Sequence, residues 1–315
     1  MSELIVLCPL TDYMRDRVTA VFDTIELDLV DKASWLDQNG GAVRCILTDG
    51  HIGVPADILA RLPNAEIISS NGVGYDGVDT AAATARGIPV CHTPNVLNNE
   101  VATTALMLYL SCWRNLENEM AHARSGQWAV EGNLPLARSA DQRTIGILGL
   151  GRIGKAIVAK LAPFDPDILY FGRNPQDVPF TYFDDLTAMA QACDALICVA
   201  PGGAATHHLI NREVIDAIGP DGYLINVGRG STVDEVALID ALSEGRIGGA
   251  ALDVFDAEPH IPDALQAMSN VILTPHIGSA TQETRRAMAD LAIDNLIAWK
   301  EGRPLISPVS ESADL

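Results

Sequence analysis

The sequence predicts an α/β protein built from two parallel-sheet domains, with the second inserted into the first. Its 315 residues are enough for about two domains of ordinary size. Short apolar runs alternate with helical patterns along the chain, which is typical of parallel sheets. One more helical pattern follows the last apolar run, so the chain can return to the first domain. A discontinuous first domain is therefore expected.

The strands of the first domain are predicted from its short apolar runs. They are expected at residues 4–8, 26–30, 45–48, 66–69 and 89–91. A helix is expected over residues 80–86, because Asp79 can cap its start and Gly87 can end it. A long helix with apolar positions at helical spacing is expected over residues 99–125.

The second domain is predicted to begin near Thr144. Its strands are expected at residues 144–148, 167–171, 195–200, 223–227, 250–253 and 271–274. Six strands with helices between them make a complete doubly wound sheet. The final helix is expected to start at a capping box, Ser279-Ala-Thr-Gln282, and to run to Lys300.

Composition and charge exclude several classes of protein. The chain has 21 Lys and Arg residues against 41 Asp and Glu residues, so its formal net charge is −20. A chain this acidic repels phosphate backbones and anionic membranes, so neither nucleic acid nor a membrane is expected as a partner. The six cysteines include no Cys-x-x-Cys pair, so no metal site is expected. Scattered cysteines and a start unlike a signal peptide favour a cytoplasmic protein.

The pattern Gly-x-Gly-x-x-Gly occurs twice, and its context differs between the two copies. In the second copy, Gly149-Leu-Gly151-Arg-Ile-Gly154, a helical sequence starts inside the motif. Helix N–H groups can then meet a pyrophosphate, and Gly154 lets the helix lie close to the strand. In the first copy, Gly72 to Gly77, the helix waits for Asp79. The second copy is therefore the predicted dinucleotide turn, with Arg152 and Ile153 among its contacts.

This motif gives the two domains their expected roles. Residues 99–286 are predicted to form a dinucleotide-binding Rossmann domain. Residues 1–98 and 287–315 are predicted to form a flavodoxin-like domain that binds the substrate.

The strand after the motif predicts which dinucleotide binds. A ribose-binding acid is expected about 20 residues after the motif, but the chain has Gly172-Arg173-Asn174 there. A 2′-phosphate would be repelled by an acid and can pair with Arg173. NADPH is therefore favoured over NADH as the cofactor, and Asn174 is included among the contacts. Asp177 lies close enough in sequence to keep NADH as an alternative.

Three ionisable residues follow strands whose carboxyl ends meet at one edge of the predicted sheet. They are Arg229, Glu258 and His276. When a carbonyl carbon accepts a hydride, negative charge develops on the carbonyl oxygen. Protonated His276 could deliver a proton to that oxygen. Glu258 would stabilise the imidazolium form, and Arg229 would bind a carboxylate and polarise the carbonyl. The set predicts a reductase.

Four motifs resemble the D-isomer-specific 2-hydroxyacid dehydrogenase family, and the resemblance covers nearly the whole chain. They are residues 146–154, Leu224-Ile-Asn-Val-Gly-Arg-Gly230, Gly249-Ala-Ala-Leu-Asp-Val-Phe-Asp-Ala-Glu-Pro259 and Thr274-Pro-His-Ile-Gly278. The resemblance implies the same catalytic roles for Arg229, Glu258 and His276. It also implies that backbone N–H groups around Val73 and Gly74 hold the substrate carboxylate. Further implied cofactor contacts are Ala200, Pro201, Thr206, Val227, Gly228, Arg229, Asp253, His276 and Gly278.

Within that family, the chain resembles the NADPH-dependent glyoxylate/hydroxypyruvate reductases. The expected substrates are small 2-oxo acids, reduced to D-2-hydroxy acids. Bacterial 2-ketogluconate reductases look similar and remain an alternative. So do an NAD-linked dehydrogenase running oxidatively and a non-enzymatic dinucleotide-sensing protein. The long helix and Trp128 beyond it suit a homodimer interface, although a core-facing helix would have the same pattern.

Overall fold

The computed structural model describes residues 3–313 and 315 and divides the chain into two compact units. The first unit runs up to Leu97 and resumes at Thr281, and the second is Asn98–Ala280. The return to the first unit is predicted at residue 287, which is later than in the structure. The whole final helix, from Gln282, belongs to the first unit, because its buried face packs against the strands of that unit's sheet.

The first unit is a parallel sheet with helices around it. Its strands are β1 (Leu4–Val6), β2 (Thr24–Glu26), β3 (Cys45–Thr48), β4 (Ile67–Ser70) and β5 (Val90–Cys91). Its helices up to Leu97 are α1 (Asp12–Thr19), α2 (Lys32–Asn39), α3 (Ala56–Ala60) and α4 (Thr80–Ala85). The strand order is β2-β1-β3-β4-β5. The apolar residues of β1, β3, β4 and β5 are buried on both faces, as the near-continuous apolar runs predict.

The second unit is a larger parallel sheet with the order β12-β11-β10-β9-β6-β7-β8. Its strands are β6 (Thr144–Leu148), β7 (Asp167–Phe171), β8 (Thr181–Phe183), β9 (Ala195–Cys198), β10 (Tyr223–Asn226), β11 (Gly249–Leu252) and β12 (Val271–Leu273). Its helices are α5 (Asn98–Trp113), α6 (Leu116–Ser125), α7 (Trp128–Glu131), α8 (Arg152–Leu161), α9 (Leu186–Ala192), α10 (Arg212–Ile218), α11 (Glu235–Ser243) and α12 (Asp263–Gln266). The predicted fold class, two parallel-sheet α/β domains, is confirmed.

The final helix, α13 (Gln282–Lys300), completes the first unit. Its buried face packs against the sheet, and Ser69 on β4 donates a hydrogen bond to the carbonyl of Ala292 at 2.8 Å. The helix is capped by Thr281, whose side chain accepts from the N–H of Thr284. The predicted cap at Ser279 is wrong. The chain is still in a turn at Ser279, and the helix begins only after Thr281.

One predicted strand is misplaced, and one strand of the structure is not predicted. The strand predicted at residues 26–30 lies at Thr24–Glu26, and Leu27–Leu29 form a turn of 3₁₀ helix. In that turn Leu27 is buried, but Leu29 is 75% exposed. The apolar run therefore indicates a buried strand at residues where only one of the two leucines is buried. Strand β8 was not predicted, since it has three residues at the sheet edge and its side chains are only partly buried.

The long helix predicted over residues 99–125 is two helices. Asn115 takes the left-handed conformation, with φ +49°, and separates α5 from α6. Asparagine tolerates this conformation better than most residues do. The side chains of α5 are largely buried, whereas those of α6 are not.

The six cysteines are buried and free. Burial raises the pKa of Cys8, Cys91, Cys112 and Cys193 to about 12. At neutral pH these thiols stay protonated, and they act as small apolar side chains. In the part of the chain that is described, no helix has the length and apolar character needed to span a membrane.

Candidate active site

The glycine-rich turn after β6 has the geometry that the sequence predicts for a dinucleotide turn. Helix α8 begins at Arg152, inside the motif, and Ile153 is in its first turn. Gly149 has φ +101°, a conformation that favours glycine. A Cβ on Gly154 would lie 2.3 Å from the carbonyl oxygen of Gly149, so only glycine lets the helix approach the turn. A Cβ on Gly151 would meet nothing within 4 Å, so the space in front of the helix is open.

At the end of β7, Arg173 and Asn174 are exposed. Arg173 has no ion pair or hydrogen bond with any described residue. The loop beyond it is held by Gln176, whose side chain donates to the carbonyl of Leu150 in the glycine turn at 2.8 Å. Arg173 is therefore an exposed cation just beyond the end of the strand that follows the glycine turn in sequence.

The ends of β9 and β10 lie next to each other, since the two strands are neighbours in the sheet. Ala200 is buried, and a Cβ on Gly228 would lie 2.6 Å from its carbonyl oxygen. The hydroxyl of Thr206 donates to the carbonyl of Pro201 at 2.7 Å and so closes the loop after β9. Val227 is buried beneath this edge.

Arg229 is positioned by a buried asparagine that none of the predicted motifs includes as a site residue. Asn226, at the end of β10, accepts from the N–H of Gly228 and donates to the carbonyl of Arg229 at 2.9 Å. The hydroxyl of Thr232 donates to the same carbonyl at 2.6 Å. The backbone of Arg229 is thereby fixed while its side chain stays partly exposed. The sequence does contain a signal for this role, because Asn226 is a polar residue at the end of a strand whose preceding residues are apolar or aromatic.

Asp253, just after β11, organises the turn that carries His276. Its carboxylate accepts from the hydroxyl of Thr274 at 2.7 Å and from the N–H groups of Ile277 and Gly278 at 2.8 Å each. Asp253 is 1% exposed, and this burial raises the pKa of its carboxyl, whereas the hydrogen bonds lower it. Asp253 therefore holds the turn of residues 274–278 in place from inside the protein.

His276 and Glu258 form a hydrogen-bonded pair. Nδ1 of His276 lies 2.7 Å from Oε2 of Glu258. The other carboxylate oxygen of Glu258 accepts from the N–H of Phe255 at 2.9 Å, which fixes the carboxylate. An ionised carboxylate only accepts, so Nδ1 carries a proton and the exchangeable position of the ring is Nε2. The side chain of His276 is 40% exposed and that of Glu258 is 12% exposed.

The first glycine motif has a different local structure. Helix α4 starts only at Thr80, where Asp79 caps it by accepting from the N–H of Ala82. Val73 and Gly74 therefore lie in a loop after β4 and are partly exposed. No helix N-terminus opens inside this motif.

The structure divides the predicted site residues between the two units. Arg229, Glu258, His276 and all of the predicted cofactor contacts belong to the second unit, where they follow the carboxyl ends of strands of one sheet. Val73 and Gly74 belong to the first unit. Among the described residues, no group of three or more His, Cys, Asp or Glu side chains could hold a metal ion.

Comparison with known proteins identifies the family. Residues 106–278 match the D-isomer specific 2-hydroxyacid dehydrogenase NAD-binding domain. The chain belongs to the D-isomer specific 2-hydroxyacid dehydrogenase family. It is 40% identical to glyoxylate/hydroxypyruvate reductase A of Arabidopsis thaliana over 308 residues, which are 97% of this chain and 98% of the relative. It is 39% identical to 2-ketogluconate reductase of Gluconobacter oxydans, with 98% of each chain covered.

A solved structure agrees with this assignment. The NADPH-dependent glyoxylate/hydroxypyruvate reductase of Sinorhizobium meliloti, crystallised with NADP and malonate, matches with a TM-score of 0.90 and 42% identity. The match covers 98% of this chain and 97% of that one. The expected fold and family are therefore confirmed.

The second and third glycines of the motif, Gly151 and Gly154, are expected to respond differently to replacement by alanine. Gly154→Ala places a Cβ against a backbone oxygen and should lower the free energy of unfolding by at least about 2 kcal/mol. Gly151→Ala places its Cβ in open space, at φ −83°, and should leave that free energy within about 0.5 kcal/mol. It should instead weaken dinucleotide binding by about tenfold or more, because a pyrophosphate would need that space. Urea unfolding and dinucleotide titration of both variants measure this, and unimpaired binding by Gly151→Ala would contradict the assignment.

Proposed function

We propose that this protein reduces small 2-oxo acids, with glyoxylate and hydroxypyruvate as the principal substrates, to D-2-hydroxy acids with NADPH. The observation that carries the proposal is the 2.7 Å pair between Nδ1 of His276 and the carboxylate of Glu258. An imidazole held in this way is a general acid with a fixed tautomer. The relatedness to glyoxylate/hydroxypyruvate reductases at 40% identity supports the substrate class.

The residues around the glycine turn fit a bound NADPH. The open space at Gly151, the N-terminus of α8 and the unpaired Arg173 are the features that a pyrophosphate and a 2′-phosphate need. When bound, NADPH supplies the hydride. The Sinorhizobium meliloti relative was crystallised with NADP, which supports the same preference here.

His276 supplies the proton in the proposed reaction. As an imidazolium it donates the Nε2 proton to the oxygen on which negative charge develops, while Nδ1 stays bonded to Glu258. The carboxylate stabilises the imidazolium before transfer and keeps the ring oriented after it. The second bond of Glu258, to the Phe255 N–H, holds the carboxylate in place throughout.

Two further groups bind the anionic substrate in this proposal. Arg229 binds its carboxylate and polarises the carbonyl to be reduced, and Asn226 and Thr232 fix the backbone from which Arg229 extends. As the family resemblance implies, the N–H groups of Val73 and Gly74 are also assigned to the substrate carboxylate.

A second candidate activity is 2-ketogluconate reduction. It is favoured by the 39% identity with the Gluconobacter oxydans enzyme over the full length of both chains. The proton donor and the carboxylate-binding groups would keep their roles, and only the accommodation of the longer carbon chain would differ.

We further propose that the protein is a cytoplasmic homodimer. Support for a dimer comes from apolar side chains left exposed after α6: Trp128 is 64%, Val130 81% and Leu136 98% exposed. Support for the cytoplasm comes from the six free thiols. Sedimentation velocity measures the assembly state, and a particle of 33.5 kDa would contradict the dimer.

The activity is tested by following NADPH and NADH oxidation with glyoxylate, hydroxypyruvate, pyruvate and 2-ketogluconate. We expect the fastest turnover with NADPH and the two- or three-carbon acids. His276→Ala should lose about 10²- to 10⁴-fold in kcat while still binding NADPH, because the proton donor is gone. Preference for 2-ketogluconate would select the second candidate, and undiminished turnover by His276→Ala would refute the mechanism.

Replacing Glu258 should slow the reduction. Glu258→Gln keeps an acceptor for Nδ1 but removes the charge that stabilises the imidazolium, so kcat/KM for glyoxylate should fall about tenfold or more. Glu244→Gln, an equal change of charge at an exposed residue, is the control and should leave kcat/KM within about twofold. Equal kcat/KM in Glu258→Gln and the unsubstituted protein would disprove the role of Glu258.

Arg173 should discriminate between the two dinucleotides. Arg173→Ala removes the cation proposed to pair with the 2′-phosphate, so the Kd for NADPH should rise about 10- to 100-fold. The Kd for NADH should change less than about threefold, because NADH has no phosphate there. Fluorescence titration with each dinucleotide measures both values, with Arg303→Ala as a matched loss of charge elsewhere. Equal weakening of NADH and NADPH would exclude the assignment.

A further inference from the structure

His92, one residue beyond β5, is held against the loop that contains Val73 and Gly74. Its side chain is buried, with 8% of the residue exposed, and its Nδ1 lies 2.9 Å from the carbonyl oxygen of Val73. The N–H of Thr93, the next residue, donates to the carbonyl of Gly72 at 2.8 Å. Two successive carbonyls of the loop are thus bound by two successive residues after β5.

The chemistry of the contact fixes the tautomer of His92. A backbone carbonyl oxygen can only accept a hydrogen bond, so Nδ1 must carry the proton. The ring therefore acts as a donor toward the loop.

The bound carbonyls determine where the loop N–H groups point. In a trans peptide the C=O and the following N–H lie on opposite sides of the bond. Anchoring the carbonyls of Gly72 and Val73 therefore turns the N–H groups of Val73 and Gly74 away from His92 and Thr93. Neither of these two N–H groups donates to any atom in the described part of the chain. The loop presents two adjacent donors, which is a suitable arrangement for an anion.

His92 is itself fixed from its other sides. Its N–H donates to the carbonyl of Ser307 at 3.1 Å, and the hydroxyl of Ser307 donates to the carbonyl of His92 at 2.6 Å. The ring of Tyr75 meets the imidazole edge-on, with centroids 5.3 Å apart, and its hydroxyl donates to Glu311 at 3.1 Å. The imidazole cannot leave the Val73 carbonyl without breaking this packing.

We propose that His92 is a positioning residue for substrate recognition: its Nδ1–H orients the Val73–Gly74 peptide so that the loop N–H groups bind the carboxylate of a 2-oxo acid. The inference rests on the proposed function for the identity of that carboxylate. His92 acts through the loop and does not touch the reacting atoms. The group that it serves is the carboxylate common to all 2-oxo acids, so the contribution should be independent of the rest of the substrate.

A matched pair of variants tests the donor. His92→Asn retains an N–H near the position of Nδ1, whereas His92→Leu has a similar size and no donor. The Kd of oxalate, an unreactive analogue, is measured by calorimetry on NADPH-saturated protein. It should rise about tenfold or more in His92→Leu and less than about threefold in His92→Asn. The KM for glyoxylate should rise similarly in His92→Leu with kcat within about threefold, as expected for a group that binds ground state and transition state alike.

A control separates this role from general destabilisation. Ser312→Ala removes a buried hydroxyl that accepts from the N–H of Val90 on β5, at 3.0 Å, without touching the loop. It should lower Tm yet leave the Kd of oxalate within about twofold of the original value. Equal oxalate affinity in His92→Leu and the unsubstituted protein, or equal weakening by Ser312→Ala, would overturn the inference.

Failure of the inference is distinguishable from failure of the proposed function. If the unsubstituted protein reduces glyoxylate and His92→Leu binds oxalate normally, the function stands and the role of His92 falls. If the unsubstituted protein reduces no 2-oxo acid, the function falls, and the oxalate titrations still decide whether His92 orients an anion site. Absence of oxalate binding in the unsubstituted protein refutes the role of His92 directly.

Discussion

The buried carboxylate of Asp253 determines the shape of the segment that carries the proposed acid. Its bonds to Thr274, Ile277 and Gly278 enclose His276, which adopts φ +52°, an uncommon conformation for a residue with a side chain. Burial raises the pKa of Asp253, so its stabilising contribution is greatest at low pH and falls as the carboxyl ionises. Asp253 supplies the turn that sets Nδ1 of His276 against Glu258.

The two glycine motifs share one sequence pattern but have different local structures, and a different anion is proposed to bind at each. At Gly154 the missing side chain lets α8 begin inside the turn, so that the donors come from a helix end. In the loop of Val73 and Gly74 no helix begins, and the donors are loop N–H groups oriented through their carbonyls by His92 and the residue after it. The helix end suits a pyrophosphate, and the pair of loop donors suits a single carboxylate.

Local patterns predicted most of the strands, because strand runs are local in sequence. Strand-end motifs likewise predicted that Glu258 and His276 lie close together. The failures are of two kinds. The edge strand Thr181–Phe183 and the break at Asn115 depend on weak local preferences that packing decides. The roles of Asn226 and His92 depend on which backbone groups need partners at the strand ends. For His92 that partner, the carbonyl of Val73, is 19 residues away in sequence, and no apolar or glycine pattern reports it.

The net negative charge of the chain limits where anions can bind. With a formal charge of −20, the protein repels anionic ligands at long range, so binding must come from local groups. Many surface arginines are already neutralised, as Arg15 is by Glu26 and Arg212 by Asp240. Within the described residues, Arg173 has no such partner. In the same part of the chain, other exposed cations, Arg114 and Arg124 among them, also lack a counterion. The position of Arg173, one strand away from an open helix N-terminus, is therefore what supports the proposed phosphate site.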